Sequence, residues 1–230
     1  MRLHNSRMAR RKLHETPRSV LVTGFDAFGG DAVNPSWLVA QALDGEMING
    51  HAVVAAQLPT QFAASRRLLA ALLRKHKPVL VLCLGLAGGR AGLSLERIAI
   101  NVQDARIADN AGAQPIDTAI VRGGPAAYFS TLPIKAMLEA IEQQGVAAEI
   151  SQTAGTFVCN QVFYALMSDL DKPRKKAACA PRGGFIHVPY LPDQGAPHME
   201  LDSMVRGLRA ACACALDTDR DLVRGAGAVS

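Results

Sequence analysis

Residues 78–84 read PVLVLCL and run straight into Gly85. Six apolar side chains in succession leave no polar face, which is the pattern of a parallel strand covered on both sides. Residues 19–23 (SVLVT) form a second β-branched run, ending at Gly24, and residues 51–58 a third. Between the last two, Asn34 has the chemistry of an N-cap and Pro35 suits a first helical position. The helical pattern from Trp37 to Leu43 then stops at Gly45. Thr60 is expected to cap a helix reaching Lys77, with Phe62, Leu69, Leu72 and Leu73 facing inward.

The alternation continues along the chain. A strand is expected over 97–102, then a helix from Pro133 with Ile134, Met137, Leu138 and Ile141 on one face, stopped by Gly145. A strand over 146–151, a helix over 158–170, a strand over 184–188 and a closing helix over 199–216 follow. Strands alternating with helices of this length predict an α/β fold: a single-domain, three-layer α/β/α sandwich around a mostly parallel twisted sheet. The expected domain spans 19–218, between a disordered basic tail (1–18) and a flexible C-terminal tail (219–230). Residues 171–184, mixing charge, proline and glycine, read as an exposed loop. No internal repeat is present.

Composition narrows the function classes. The chain has 230 residues, 49% hydrophobic and 20% charged, enough apolar material for a sizeable core, so a disordered or fibrous protein is excluded. The formal charge of +5 resides in residues 1–18, where six Lys and Arg face one Glu. The remainder is neutral, which removes the main argument for a nucleic-acid partner. No apolar run approaches the ~20 residues of a membrane span, so no membrane role is expected. The basic tail lacks the apolar centre of a secretory signal, and it reads as a solvated arm, a weak transit peptide or an extension upstream of a start at Met8. Five cysteines, an odd number at irregular spacing, imply reduced thiols in a cytoplasmic protein rather than a disulfide framework. Cys212 and Cys214 diverge on a helix and have no metal-ligand spacing around them, so no metal is expected.

Ligands of doubly wound sheets sit beyond the carboxyl ends of the strands. The loops there are GFDAFGG, GLAGGRAGLSLER, TAGTFVCN and HVPYLPDQ. Cys159 falls at the start of a helix, where unpaired N–H groups favour a thiolate, although by position alone a packed, inert cysteine is the commoner case. His187 ends a strand before Pro189 and is the best available base for that thiol. The acid that would hold the imidazole is left open among Glu96, Asp104 and Asp109. The run GLAGGR has neither the GxGxxG spacing nor the GK[ST] of a phosphate loop, so its glycines read as freedom for a tight turn.

Taken together, VLVTGFDAFGG with NPSW (20–37), LPT (58–60), GLAGGR with ERIAINVQDARIADNAG (85–112), SQTAGTFVCN (151–160) and GGFIHVPYLPDQ (183–194) resemble the type I pyroglutamyl peptidases, or pyrrolidone-carboxylate peptidases. The blocks keep that family's order and span nearly the whole folded region. The resemblance implies a cysteine omega-peptidase with Glu96, Cys159 and His187 as its triad. It implies a ring pocket at Phe25, Phe28, Thr60, Ile107, Phe157 and Val158, with Val162 where a larger methionine can occur, and Arg106 near the active site. Leu86 stands where relatives often carry glutamine and is implied to recognise the lactam through its backbone; Asp26-Ala27 replaces a common Glu-Pro. The substrate implied is a pyroglutamyl peptide, the assembly a homotetramer, and no cofactor is called for. Two other readings remain on this evidence: a non-hydrolytic binding relative of the same fold, and a nucleoside phosphorylase-like transferase with a similar sheet.

Overall fold

The computed structural model describes residues 18–172 and 181–227. The chain runs β1 (Val20–Phe25), α1 (Pro35–Ala42), β2 (Met47–Ile48), β3 (His51–Leu58), α2 (Phe62–His76), β4 (Leu80–Leu86), β5 (Leu93–Glu96), β6 (Ile98–Ile100), β7 (Ala127–Phe129), α3 (Ile134–Glu142), β8 (Ala148–Ser151), α4 (Val158–Asp171), β9 (Arg182–Val188) and α5 (Leu201–Asp217). Seven strands pair in the order β2-β3-β1-β4-β9-β5-β8. The centre is parallel from β3 to β9. Strand β5 runs against β9, β8 runs with β5, and β2 is a short antiparallel edge. Strands β6 and β7 form a separate two-stranded ribbon.

The side-chain period of two explains why β4 is apolar throughout. Leu80, Leu82 and Leu84 enter one core with α1, α3 and α5, while Val81 and Cys83 enter the other with α2 and α4. Helices on both faces of a mostly parallel sheet make the three-layer α/β/α sandwich expected from the alternation.

Local signals act largely as the residues imply. Asn34 accepts a hydrogen bond from the Ser36 N–H at 3.1 Å and caps α1, and Gly145, at φ +68°, turns the chain after α3. Helix α2 departs from expectation. Thr60 does not cap it, because its hydroxyl donates to the Asp26 carbonyl, and the Phe62 N–H is instead satisfied by the Asp109 carboxylate at 2.7 Å, 47 residues away. The expected strand over 97–102 is also corrected: Glu96 ends β5 in the main sheet, and only Ile98–Ile100 continues, as β6, into the ribbon.

Two expected loose segments differ as well. Strand β9 begins at Arg182, inside the anticipated 171–184 loop, and residues 173–180 lie outside the described part, as does the basic tail up to residue 17. Residues 219–227 carry no regular secondary structure but lie along α3. There Asp221 accepts from the N–H groups of Lys135 and Ala136, and Arg224 pairs with Glu139. No helix of the described residues is long and apolar enough to cross a membrane.

Candidate active site

At the carboxyl edge of β1, β4 and β9 a cavity of about 400 Å³ opens between the loops. Its walls include Phe25, Phe28, Thr60, Leu86, Phe157, Val158, Cys159 and His187. Phe28 packs at a tilt against Phe157 with ring centroids 5.3 Å apart, and Phe62 meets the same ring edge-on at 5.1 Å, so the apolar wall is braced from behind. Asp26, where the family resemblance pointed to a common glutamate, accepts from the Thr60 N–H at 2.6 Å and fixes that wall.

His187 and Glu96 are set by sheet register. Antiparallel pairing of β5 with β9 places Ser94 opposite His187 and Glu96 opposite Phe185. Glu96 is therefore the diagonal neighbour of His187 on the face covered by α4, one pleat deeper in the sheet. Its side chain is fully buried, and its Oε1 lies 2.7 Å from His187 Nδ1 and 2.8 Å from Arg90 Nη1. A carboxylate only accepts, so Nδ1 is the donor in this contact, and in the neutral imidazole Nε2 is then the nitrogen with the lone pair.

Cys159 reaches the same place from above. It lies in the first turn of α4, whose N-terminus has no side-chain cap. Asn160 ties that turn down by accepting from the Ile100 N–H and donating to the carbonyls of Ile100 and Val102. Gly85 pairs directly with His187, and a Cβ built on Gly85 would fall 2.8 Å from the Cys159 sulfur. The sulfur occupies the space a side chain would fill, next to the histidine strand. No hydrogen bond joins the sulfur to the imidazole among the described residues.

The thiol is not activated as its helix position predicts. Burial first, and the Glu96 carboxylate second, push it up to about 12, while Arg90 acts in the opposite direction. At neutral pH it rests as a thiol, and a nucleophile here needs a base to take its proton as the bond forms.

Three expected pocket residues stand elsewhere. Arg106 and Ile107 sit on an exposed stretch outside the cavity wall; Asp109 turns inward there, accepting from Ala111, Ala113 and Phe62, and leaves its predecessors in solvent. Val162 is fully buried in the core behind the wall. Sequence reasoning missed Arg90, which took no part in the reading of GLAGGR for its glycines. It also missed Tyr190, which lines the cavity from the HVPYLPDQ loop and packs where a Gly88 side chain would be.

A three-layer α/β/α sandwich that gathers a thiol, an imidazole and a buried acid about one apolar cavity has the make-up of a cysteine-type hydrolase. The family described as Pyroglutamyl peptidase matches residues 18–218. The pyrrolidone-carboxylate peptidase of Cupriavidus pinatubonensis is 57% identical over 210 residues, covering 89% of this chain and 96% of that protein. That of Bacillus cereus is 45% identical, covering 92% and 99%. Among solved structures, pyroglutamyl peptidase I from Bacillus amyloliquefaciens superposes with a TM-score of 0.86 at 43% identity, covering 91% of this chain and all of that one. The pyrrolidone carboxyl peptidase of Thermococcus litoralis gives 0.83 at 36% identity, covering 90% and 98%. The chain belongs to the pyroglutamyl peptidase family.

Proposed function

We infer that this chain is a cysteine peptidase that removes an N-terminal pyroglutamyl residue from peptides, with Cys159 as nucleophile, His187 as base and Glu96 as the acid that orients it. The observation that carries the reading is the buried Glu96–His187 contact at 2.7 Å, which leaves Nε2 as the free ring nitrogen in the cavity that Cys159 lines. Family membership sets aside the nucleoside phosphorylase-like alternative.

The substrate's first residue has cyclised to a lactam and has no α-ammonium. A wall built of Phe25, Phe28 and Phe157 suits a neutral ring, and the carboxylate among the lining residues, Asp31, is at the exposed lip. Burying the lactam amide unpaired would cost roughly 1–3 kcal/mol, so the few hydrogen bonds it makes supply discrimination.

As the Cys159 sulfur attacks the pyroglutamyl carbonyl carbon, its proton passes to His187 Nε2. The charge developing on the carbonyl oxygen meets the unpaired N–H groups at the start of α4. Collapse of the tetrahedral intermediate breaks the C–N bond, and the imidazolium gives its proton to the departing amine. Water then attacks the thioester with His187 as base, releasing pyroglutamate and restoring the thiol. Glu96 holds the Nδ1–H tautomer throughout.

The reading extends to a cytoplasmic homotetramer, as the resemblance implies. Free thiols at Cys83, Cys159, Cys212 and Cys214 fit a reducing compartment, and light scattering tests the assembly. The activity is tested by chromophore release from a pyroglutamyl amide beside its prolyl and alanyl analogues. Only the first should be cleaved, and Cys159→Ala should abolish turnover while leaving the fold intact. Cleavage of all three amides, or an active Cys159→Ala, refutes the reading.

A further inference from the structure

Arg90 follows β4 on a turn opened by Gly88 and Gly89, the latter at φ +83°. Its two terminal nitrogens go separate ways. Nη1 donates to Glu96 Oε1 at 2.8 Å, and Nη2 reaches the carbonyl of Thr153 at 3.4 Å. Both contacts matter to the proposed chemistry, because Glu96 touches His187 and Thr153 lies in the turn that delivers Cys159.

The acid depends on this partner. Both donors to Glu96 converge on Oε1, while Oε2 is buried with no hydrogen-bond partner. Loss of the guanidinium would leave the fully buried acid with His187 as its one protein partner. The turn depends on Thr153 in the same way: Ser151 Oγ donates to its carbonyl at 3.1 Å, and its own hydroxyl accepts from the Gly155 N–H at 3.0 Å. Residues 154–159 then form one side of the cavity.

We propose that Arg90 is a positioning residue for this reaction, one guanidinium holding the acid that orients His187 and tethering the turn that presents Cys159. The proposal rests on the roles inferred above for Cys159, His187 and Glu96. A guanidinium fork serves two acceptors lying in different directions, whereas a lysine ammonium at this distance keeps the charge and forfeits the bridge. The field points the same way, since Arg90 opposes the burial and the Glu96 charge that raise the Cys159 thiol.

Arg90→Lys and Arg90→Gln separate the two contributions, with Cys159→Ala as the reference for the underlying reading. kcat and KM on a pyroglutamyl amide are measured from about pH 5.5 to about pH 9.5, together with the rate at which iodoacetamide alkylates Cys159. Arg90→Gln should lose about a hundredfold in kcat, and its alkylation profile should move to higher pH. Arg90→Lys should recover kcat to within about tenfold of the parent while KM stays raised by about threefold or more, the mark of a lost tether with the charge retained. An Arg90→Gln enzyme with parental kcat and an unmoved alkylation profile overturns the proposal. So does a Lys variant as impaired in kcat as the Gln variant. If Arg90→Gln does not fold, the kcat and KM split of Arg90→Lys decides. An active Cys159→Ala would refute the triad itself, whereas an inert Cys159→Ala beside a fully active Arg90→Gln removes only the role of Arg90.

Discussion

Replacing Gly85 by alanine adds a single methyl group, and it should remove most of the activity. The new Cβ would lie 2.8 Å from the Cys159 sulfur and 2.8 Å from Phe185 Cζ. Comfortable contacts between such atoms begin near 3.5–4.0 Å, so the overlap is about 1 Å. Phe185 is fully buried, with the rings of Phe25 and Phe163 6.5 and 6.0 Å away. It has nowhere to go. The sulfur is the partner that moves, and a displacement of about 1 Å at a reacting atom costs about a hundredfold in rate, or about 2.7 kcal/mol of barrier. Overpacking should also lower stability by about 1–3 kcal/mol. Gly183→Ala on β9 supplies the control: its Cβ would meet Leu170 Cδ1 at 3.0 Å and Leu166 Cδ2 at 3.1 Å, in the core away from the thiol. That variant should lose stability and keep kcat/KM within about threefold. The assay is kcat/KM on a pyroglutamyl amide beside a thermal melt of each variant. A Gly85→Ala enzyme within threefold of the parent, or equal losses of activity at both glycines, would refute the reasoning.

Glu96→Gln should lower kcat by about 10²–10⁴-fold through loss of the oriented tautomer. Yet it should speed alkylation of Cys159 at about pH 8, because the Glu96 charge is one of the causes that raise the thiol; an alkylation rate that falls along with activity contradicts this. Stability should decline as pH rises from about 9 toward 12. Cys83 and Cys212 are fully buried, and burial lifts each from 9.0 to about 12, so in that window the unfolded chain has released protons that the native state retains. Each thiol contributes about 1.4 kcal/mol per pH unit, and urea unfolding of Cys212→Ala should show a shallower decline; an unchanged slope would exclude burial of that thiol as a cause. Asp221→Ala uncaps the start of α3 and should cost about 1 kcal/mol, or about 2–4 °C in Tm, with kcat/KM intact. A melt that does not move would mean that the segment after α5 adds nothing to the helix it touches.

The long elements were legible because each carries its own punctuation. The unbroken apolar run of β4 and the Asn34-Pro35 start of α1 are local signals, and both elements form where those signals lie. Short pairings were not legible. Strand β5, four residues of LSLE, sits inside a stretch that reads as glycine-rich loop, and the three-residue β7 has no pattern of its own. The α2 cap escaped because Asp109 comes from 47 residues away and only tertiary structure brings it there.

The candidate site divides along the same line. Cys159 and His187 stand where a helix begins and a strand ends, positions that a search of sheet edges reaches. Glu96 ends β5, but β5 runs opposite to β9 and its carboxyl end points away from the edge where the parallel strands finish, so a rule that looks beyond those ends could not choose it from Asp104 and Asp109. Family likeness selected Glu96, yet it also selected Arg106 and Ile107, since likeness of residues does not say which side of a turn they face. Arg90 and Tyr190 enter through contacts between loops, which no single segment displays.

The reversed strand has one more consequence. Glu96 and His187 are 91 residues apart and meet only when β5 and β9 pair in their final alignment, and a slip by one position would send the acid to the opposite face. Peptide cleavage is therefore a clock for chain assembly: in a refolding experiment, turnover should return only after this long-range zipping of the sheet, however early the helices recover their signal.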